Sequence, residues 1–283
     1  MTDMSNPAPT PEEPPPVEIH KPKPVHNWRE FLIELGTITL GVGIALAAEQ
    51  AVEWYHWHNK VAEARAVIAT ELASSMGNAI ERMMVERCGE RRLDALEQIL
   101  DGASRTGQLP PVGDVGMMPL RQWTSGAWDG VMASQTATHF PRQQLADLAI
   151  IYGFVRKADA FAEPEVASWT ELSGMSGPGR RLDPVTEDRF RAALGHARYF
   201  NRTRAELGIV ITSRMKNQDI VFSKEDLAII EAGKKRAAGP SNRYLCGPIG
   251  PAMPSYGQAP LSTTPTLADQ ALKTLPDFAK AAP

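Results

Sequence analysis

Between residues 31 and 48 runs a stretch of eighteen residues whose single charge is Glu34. Nothing else in the chain limits its fold as strongly. At about 1.5 Å per residue, a helix over this run is about 27 Å long, close to a bilayer hydrocarbon core of roughly 30 Å. Trp28 precedes the run, and Trp54, Tyr55 and Trp57 follow it. Amphipathic rings settle at the two interfaces of a bilayer. On one helix Trp28 and Trp54 lie about 39 Å apart, near the full bilayer thickness with headgroups. The run therefore reads as a transmembrane helix with aromatic flanks.

Glu34 then needs an explanation. On a helix it shares a face with Gly41, Ala45, Ala48 and Val52, at offsets of 7, 11, 14 and 18 residues. Small side chains let a second helix approach closely, and Thr39, Gly43 and Ala47 repeat the small-residue spacing beside that face. A carboxyl turned to lipid costs about 2–3 kcal/mol when central, and much less against a partner helix. Glu34, Gly41, Ala45 and Ala48 thus form a candidate helix–helix contact face, toward a second copy or another membrane protein. The competing reading is that Glu34 snorkels to the headgroups beside Arg29.

The segment as a whole admits two further readings. A cleaved signal peptide has a basic start, an apolar stretch and small residues at the cut. Ala45 to Ala47 fits that cut, but the leading region would be about thirty residues long. A buried core helix is the other reading, although an all-round apolar run of this length is foreign to small domains. Lys21, Lys23 and Arg29 precede the segment and Lys60 and Arg65 follow it. This bias places the N-terminus inside and the bulk of the chain outside, which in a bacterium means an inner-membrane anchor with a periplasmic domain.

The string "WREFLIELGTITLGVGIALAAEQAVEWYHW" continuing into "AEARAVIATELASSM" resembles the N-terminal signature of a group of proteobacterial single-pass membrane proteins. The shared pattern is an aromatic and an acidic residue before the span, a Gly-Val-x-Ile-Ala-Leu core and a closing Glu-Gln pair. These fall on Trp28, Glu30, Gly41 to Leu46, Glu49 and Gln50. The likeness covers mainly residues 27–75. That group has no established activity, so the resemblance supports the membrane reading and implies nothing about chemistry.

Beyond Trp57 the pattern turns helical. Ile68, Leu72, Met76, Ile80 and Met83 recur at steps of three or four, and Leu93, Leu96, Ile99 and Leu100 resume the stripe. Gly77 and Gly89 weaken this helix without ending it, and it continues the membrane helix as a long rod. "DGASRTGQLPPVGDVGMMP" (residues 101–119) breaks it. A second helical stretch is expected over about 120–134. A third starts near Pro141 and extends toward Leu172 despite Pro164. Asp183 and Pro184 are a cap and a first-turn proline opening a helix to about Lys216. Ser223 caps a last short helix that closes on Lys234, Lys235, Arg236 and Gly239. "LGIVITSR" is the one strand-like stretch and is read as helical. The fold class is all-α: a transmembrane helix, then an antiparallel bundle of three or four long helices.

Twenty-three prolines crowd the two ends, where the missing amide donor opposes helix and sheet. The chain divides into a disordered cytoplasmic tail (1–27), the membrane helix (28–57), a periplasmic bundle (58–238) and an extended proline-rich tail (239–283). A net charge of −3 and pI near 6.1 give no basic footprint for nucleic acid. Cys88 and Cys246 are the two cysteines. In an oxidising compartment such a pair is commonly bridged, which would tie the tail to the first long helix. Two unrelated thiols is the alternative.

Groupings that carry chemistry are sparse. Glu53 and His56 make one Glu-x-x-His, half of a di-iron bundle set, with no second copy. His56 and His58 point apart on a helix, and His139 and His196 lack ligand-spaced neighbours. No Gly-x-Ser-x-Gly elbow and no phosphate-binding glycine loop occurs, and "GMSGPGR" reads as a linker. Arg189, Arg191, Arg198, Arg202 and Arg204 lie among Glu187, Asp188 and Glu206, as a solvated face or an anion site. Trp123 and Trp128 in "WTSGAWDG" mark a packing corner or a pocket wall. The sequence thus offers no catalytic, cofactor or metal site. Its expected role is contact between proteins at a membrane; a ligand-sensing bundle coupled to the membrane helix comes second and an enzyme third.

Overall fold

A computed structural model of the chain describes residues 27–216, 218, 220–249 and 266–275. The described chain is all-α apart from one two-residue strand pair. Its helices are α1 (Trp28–Thr106), α2 (Gly126–Ala133), α3 (Arg142–Ala160), α4 (Ala162–Ser173), α5 (Pro184–Lys216), α6 (Lys224–Ala237), α7 (Pro240–Cys246) and α8 (Leu267–Lys273). The chain divides into two compact units between Trp54 and Tyr55. The first contains the apolar part of α1, and the second the bundle.

In the first unit the apolar window of α1 has a mean hydropathy of 1.9 and none of it is buried. By length and composition it is able to cross a membrane. Its two threonines satisfy their own hydroxyls, Thr37 donating to the Ile33 carbonyl at 2.8 Å and Thr39 to the Leu35 carbonyl at 2.7 Å. That one-turn bond removes a free polar group where no water would be available.

In the second unit α1 is the central helix. Nine consecutive residues, from Ser75 through Met83, are buried, so this part has no solvent face. The apolar stripe expected from Ile68, Leu72, Met76, Ile80 and Met83 is buried as predicted. From Ser75 onward the polar positions between its members, Ser75, Asn78, Glu81 and Arg82, are buried too, whereas Thr70 and Ser74 are exposed. α1 ends at Thr106, later than the break expected from residue 101, because Gly107 takes a positive φ of 70° and its amide closes the last turn onto the Ala103 carbonyl. β1 (Gln108–Leu109) then pairs antiparallel with β2 (Arg180–Arg181), tying the segment after α1 to the segment before α5.

Local signals set most of the remaining boundaries. α5 starts at Pro184 and ends at Lys216 as its cap and periodicity predict, with the Asp183 carboxylate accepting from the Thr186 amide at 3.0 Å. Ser223 and Asp226 form a reciprocal capping box at the start of α6. α3 begins directly after Pro141. The expected continuous helix to Leu172 is instead broken at Phe161, and Pro164 sits in the first turn of α4, where its missing amide removes no helical bond. The stretch 120–125 is not helical, and α2 covers only the later part of the second expected helix.

The tail expected to be extended from residue 239 contains two helices among its described residues. Pro240 occupies the first turn of α7, so that proline initiates structure rather than preventing it. Leu245, Ile249 and Ala268 are buried. Other parts of that tail, and the N-terminal tail up to residue 26, lie outside the described residues.

The core consists of two apolar clusters. One gathers Ile68 to Met83 of α1 with Trp128, Tyr152, Leu207, Ile211 and Ile230. The other gathers Val85 to Ala103 with Leu109, Trp169, Phe190, Leu194 and Leu245. α1 and α6 pass close together at Gly77 and Gly233, where a Cβ on Gly233 would overlap the Gly77 backbone. Gly233→Ala is therefore expected to lower stability by about 3 kcal/mol, near the top of the overpacking range, since no flexible side chain can give way. Gly195→Ala, with open space around it, should be neutral or slightly stabilising. Urea unfolding of the two variants beside the parent checks both.

Candidate functional site

The face predicted for helix contact lies wholly on the exposed segment. Glu34, Gly41, Ala45 and Ala48 are all exposed, and nothing approaches the Cβ positions of Gly36, Gly41 or Gly43 within 4 Å. Trp28 stacks on Phe31 at 5.5 Å on the N-terminal side. Of the rings on the other side, Trp57 does not stay at an interface position alone. It stacks flat on His139, centroids 4.0 Å apart, and so belongs to the bundle's packing.

The other groupings resolve individually. His56 packs edge-on to Trp57, while His196 stands exposed on α5. Among the described residues no cluster of three or more His, Cys, Asp or Glu is placed to hold a metal ion. Trp128 stacks on Tyr152 at 5.3 Å. The Glu71 carboxylate accepts from the Tyr152 hydroxyl at 2.9 Å and from the first amides of α2. Burial, with the Glu71 charge beside it, pushes the Tyr152 hydroxyl far above its ordinary range. The phenol therefore stays protonated and ties α3 to Glu71 of α1, which in turn holds the first turn of α2.

The arginine series of α5, Arg204 apart, is the largely exposed face expected, and its guanidiniums are engaged in ion pairs. Arg191 reaches Asp101 at 3.0 Å, Arg198 reaches Asp94 at 2.7 Å and Arg202 reaches Glu90 at 3.1 Å, all carboxylates of α1. Arg189 pairs with Glu171 of α4 at 2.9 Å. These partly exposed pairs are worth less than about 1 kcal/mol each. Their regular spacing along both helices sets the register of α5 against α1.

Arg204 departs from the series. Its side chain is 2% exposed, and its Nη1 donates to Glu165 Oε2 at 2.6 Å. Arg82 of α1, 3% exposed, donates to the other oxygen of the same carboxylate. One buried carboxylate thus bridges two buried guanidiniums from different helices. Beside them, the Glu81 carboxylate accepts from Arg121 at 2.8 Å through two parallel bonds, from Arg236 at 3.0 Å and from Asn242 at 2.9 Å. Burial pushes the Glu81 carboxyl up, but these donors outweigh it and hold it below its ordinary range.

This layer separates the two apolar clusters. On α1 they meet between Met83 and Val85, and on α5 between Ala197 and Leu207. Sequence reading missed it, because charged residues next to an apolar stripe look like a solvated face. The one available signal was Arg204 standing among Ala205, Leu207 and Gly208.

Cys88 and Cys246 are at bonding distance, Cα atoms 4.6 Å apart, the pairing the sequence suggested. Arg92, 2% exposed, reinforces the join. Its Nη2 donates to the carbonyls of Tyr244 at 2.7 Å, Leu245 at 3.2 Å and Gly247 at 3.1 Å. It thereby satisfies the carbonyls that a helix C-terminus leaves open. No family model, curated protein or solved structure matches the chain.

Proposed function

We propose that the chain is a single-pass inner-membrane protein, N-terminus in the cytoplasm, whose periplasmic helical bundle acts through contacts with other proteins rather than catalysis. The carrying observation is the exposed apolar segment whose one carboxylate lies on a face of small residues. The aromatic flanks, the basic residues before the segment and the likeness of residues 27–75 to proteobacterial single-pass proteins support the anchor. Cys88 and Cys246 at bonding distance suit an oxidising compartment. The partner is a second copy or another membrane protein meeting the Glu34, Gly41, Ala45 and Ala48 face.

The test is co-purification of the full-length chain from mild detergent, with mass spectrometry of the intact protein and its companions. A full-length chain in a stable complex supports the reading. Gly41→Leu with Ala45→Leu should then weaken the complex roughly tenfold, the worth of about 1.4 kcal/mol of helix packing. A soluble chain starting near Ala48 and free of companions would instead mean a secreted bundle.

A second reading, a ligand-sensing bundle joined to a membrane helix, has one observation in its favour. A groove of about 830 Å³ opens between α1 and α3, walled by Arg65, Ile68, Gln144, Leu148, Ile220 and Val221. That size accommodates a small organic ligand. Saturable binding of a small molecule that protects Gln144 or Ile220 from hydrogen exchange would move this reading ahead of the first.

A further inference from the structure

The charged layer in the bundle has more donors than acceptors. Its hydrogen-bonded set holds four guanidiniums (Arg82, Arg121, Arg204, Arg236) and two carboxylates (Glu81, Glu165), an excess of two positive charges. Arg121 and Arg236 are about one-third exposed, so water screens them. Arg82 and Arg204 are not, and they share the single charge of Glu165. A guanidinium stays protonated in a protein, so this triad cannot shed its surplus charge by titrating. Glu86, the next carboxylate along α1, is hydrogen-bonded to Thr266 and attracts Arg82 more weakly than Glu165 does, so it offsets only part of the surplus.

Between the two halves of the layer lies a cavity in which the centre of a water-sized sphere can range over about 10 Å³, walled by Asn78, Glu81, Arg82, Arg121, Trp123 and Arg204. That volume suffices for one small particle. Four buried donor atoms in its walls have no partner: Nε and Nη1 of Arg82, Nε of Arg204 and Nε1 of Trp123. Among the side-chain acceptors of the walls, one lone pair of Asn78 Oδ1 is still open. Both Glu81 oxygens accept two bonds each, which uses the four lone-pair sites of a carboxylate. Asn78 Oδ1 accepts from Arg236 at 2.9 Å. A water there would find donors to accept from and that lone pair for one proton, but no free carboxylate for the other. An acceptor-only particle carrying negative charge suits both the hydrogen bonding and the charge.

We propose that this cavity is an internal binding site for one monovalent anion of chloride size, held by Arg82, Arg204 and Trp123 between the two apolar clusters. Polyatomic oxyanions are too large for it. The anion completes the core polar layer and makes stability depend on halide.

Thermal unfolding of the full-length chain in detergent tests this, in sodium chloride, sodium bromide or sodium gluconate at one ionic strength. Chloride and bromide should raise Tm saturably over gluconate, by roughly 5 °C at a hundredfold excess over the dissociation constant. Arg204→Met leaves Arg82 and Glu165 as a neutral pair, so it should fold and lose the halide dependence. Equal Tm values in the three salts, or the same halide shift in the parent and Arg204→Met, would overturn the proposal. In crystals grown with bromide, an anomalous peak among Arg82, Trp123 and Arg204 supports the site, and a cavity without one rules it out.

Discussion

Glu165→Gln is expected to cost about 3–5 kcal/mol, although it exchanges one oxygen for an amide and leaves the volume unchanged. The substitution removes the charge that Arg82 and Arg204 share in the absence of water. Breaking a buried pair by deleting one partner leaves an uncompensated buried charge, and that penalty far exceeds the worth of the pair itself. The amide also turns a donor toward one guanidinium, which has nothing to accept with. For a bundle of this size the loss is a fall in Tm of roughly 10 °C. Replacing all three groups together, as Arg82→Met, Glu165→Leu and Arg204→Met, should recover most of it, because an apolar triad of similar volume needs no desolvation. Circular dichroism melts of the single and triple variants decide the matter. If Glu165→Gln melts with the parent, the layer is solvated and the burial described above does not hold in solution.

Opening the link between Cys88 and Cys246 is the second large effect. The two cysteines are 158 residues apart, and closing a loop of that length restricts the unfolded chain by about 5 kcal/mol in the entropy model, with about 2–4 kcal/mol typically realised. Cys88→Ser with Cys246→Ser should therefore lower stability by about 3 kcal/mol, and a reductant should do the same to the parent. The effect is expected to be uneven along the chain. Arg92 still caps α7 in the double variant, so α7 should remain docked below the melting temperature while its amides exchange faster. Differential alkylation of the native and reduced parent, followed by peptide mass spectrometry, checks the pairing itself. Full labelling of both thiols in unreduced protein would exclude the bridge and, with it, the support it lends to a periplasmic location.

The helical class, and several boundaries, were legible without coordinates because their signals are local. Asp183 and Pro184 cap and start α5 through bonds made within three residues. Ser223 and Asp226 do the same for α6. The apolar run at 31–48 is also a local signal, since hydrocarbon-like side chains at every position need no knowledge of the rest of the fold. Proline content misled at the tail because counting it ignored position: at Pro240 the missing amide is one that a helix start leaves free anyway. The break at Phe161 was missed for a related reason, as Pro164 was weighed as an interruption rather than as the beginning of α4.

The charged layer belongs to the opposite class. Glu81 and Arg82 stand in α1 beside Ile80 and Met83, and periodicity assigns such neighbours to a wet face. That inference holds only when a helix has a wet face, and from Ser75 to Met83 α1 has none. Only the packing of α4, α5 and α6 around α1 brings Glu165, Arg204 and Arg236 to residues 81 and 82. The sequence by itself determined what short-range physics governs: helix class, caps, a segment apolar enough for a membrane, and two cysteines able to pair. The tertiary structure alone decided which charges lose their water, because burial depends on residues far apart in the chain converging on one place.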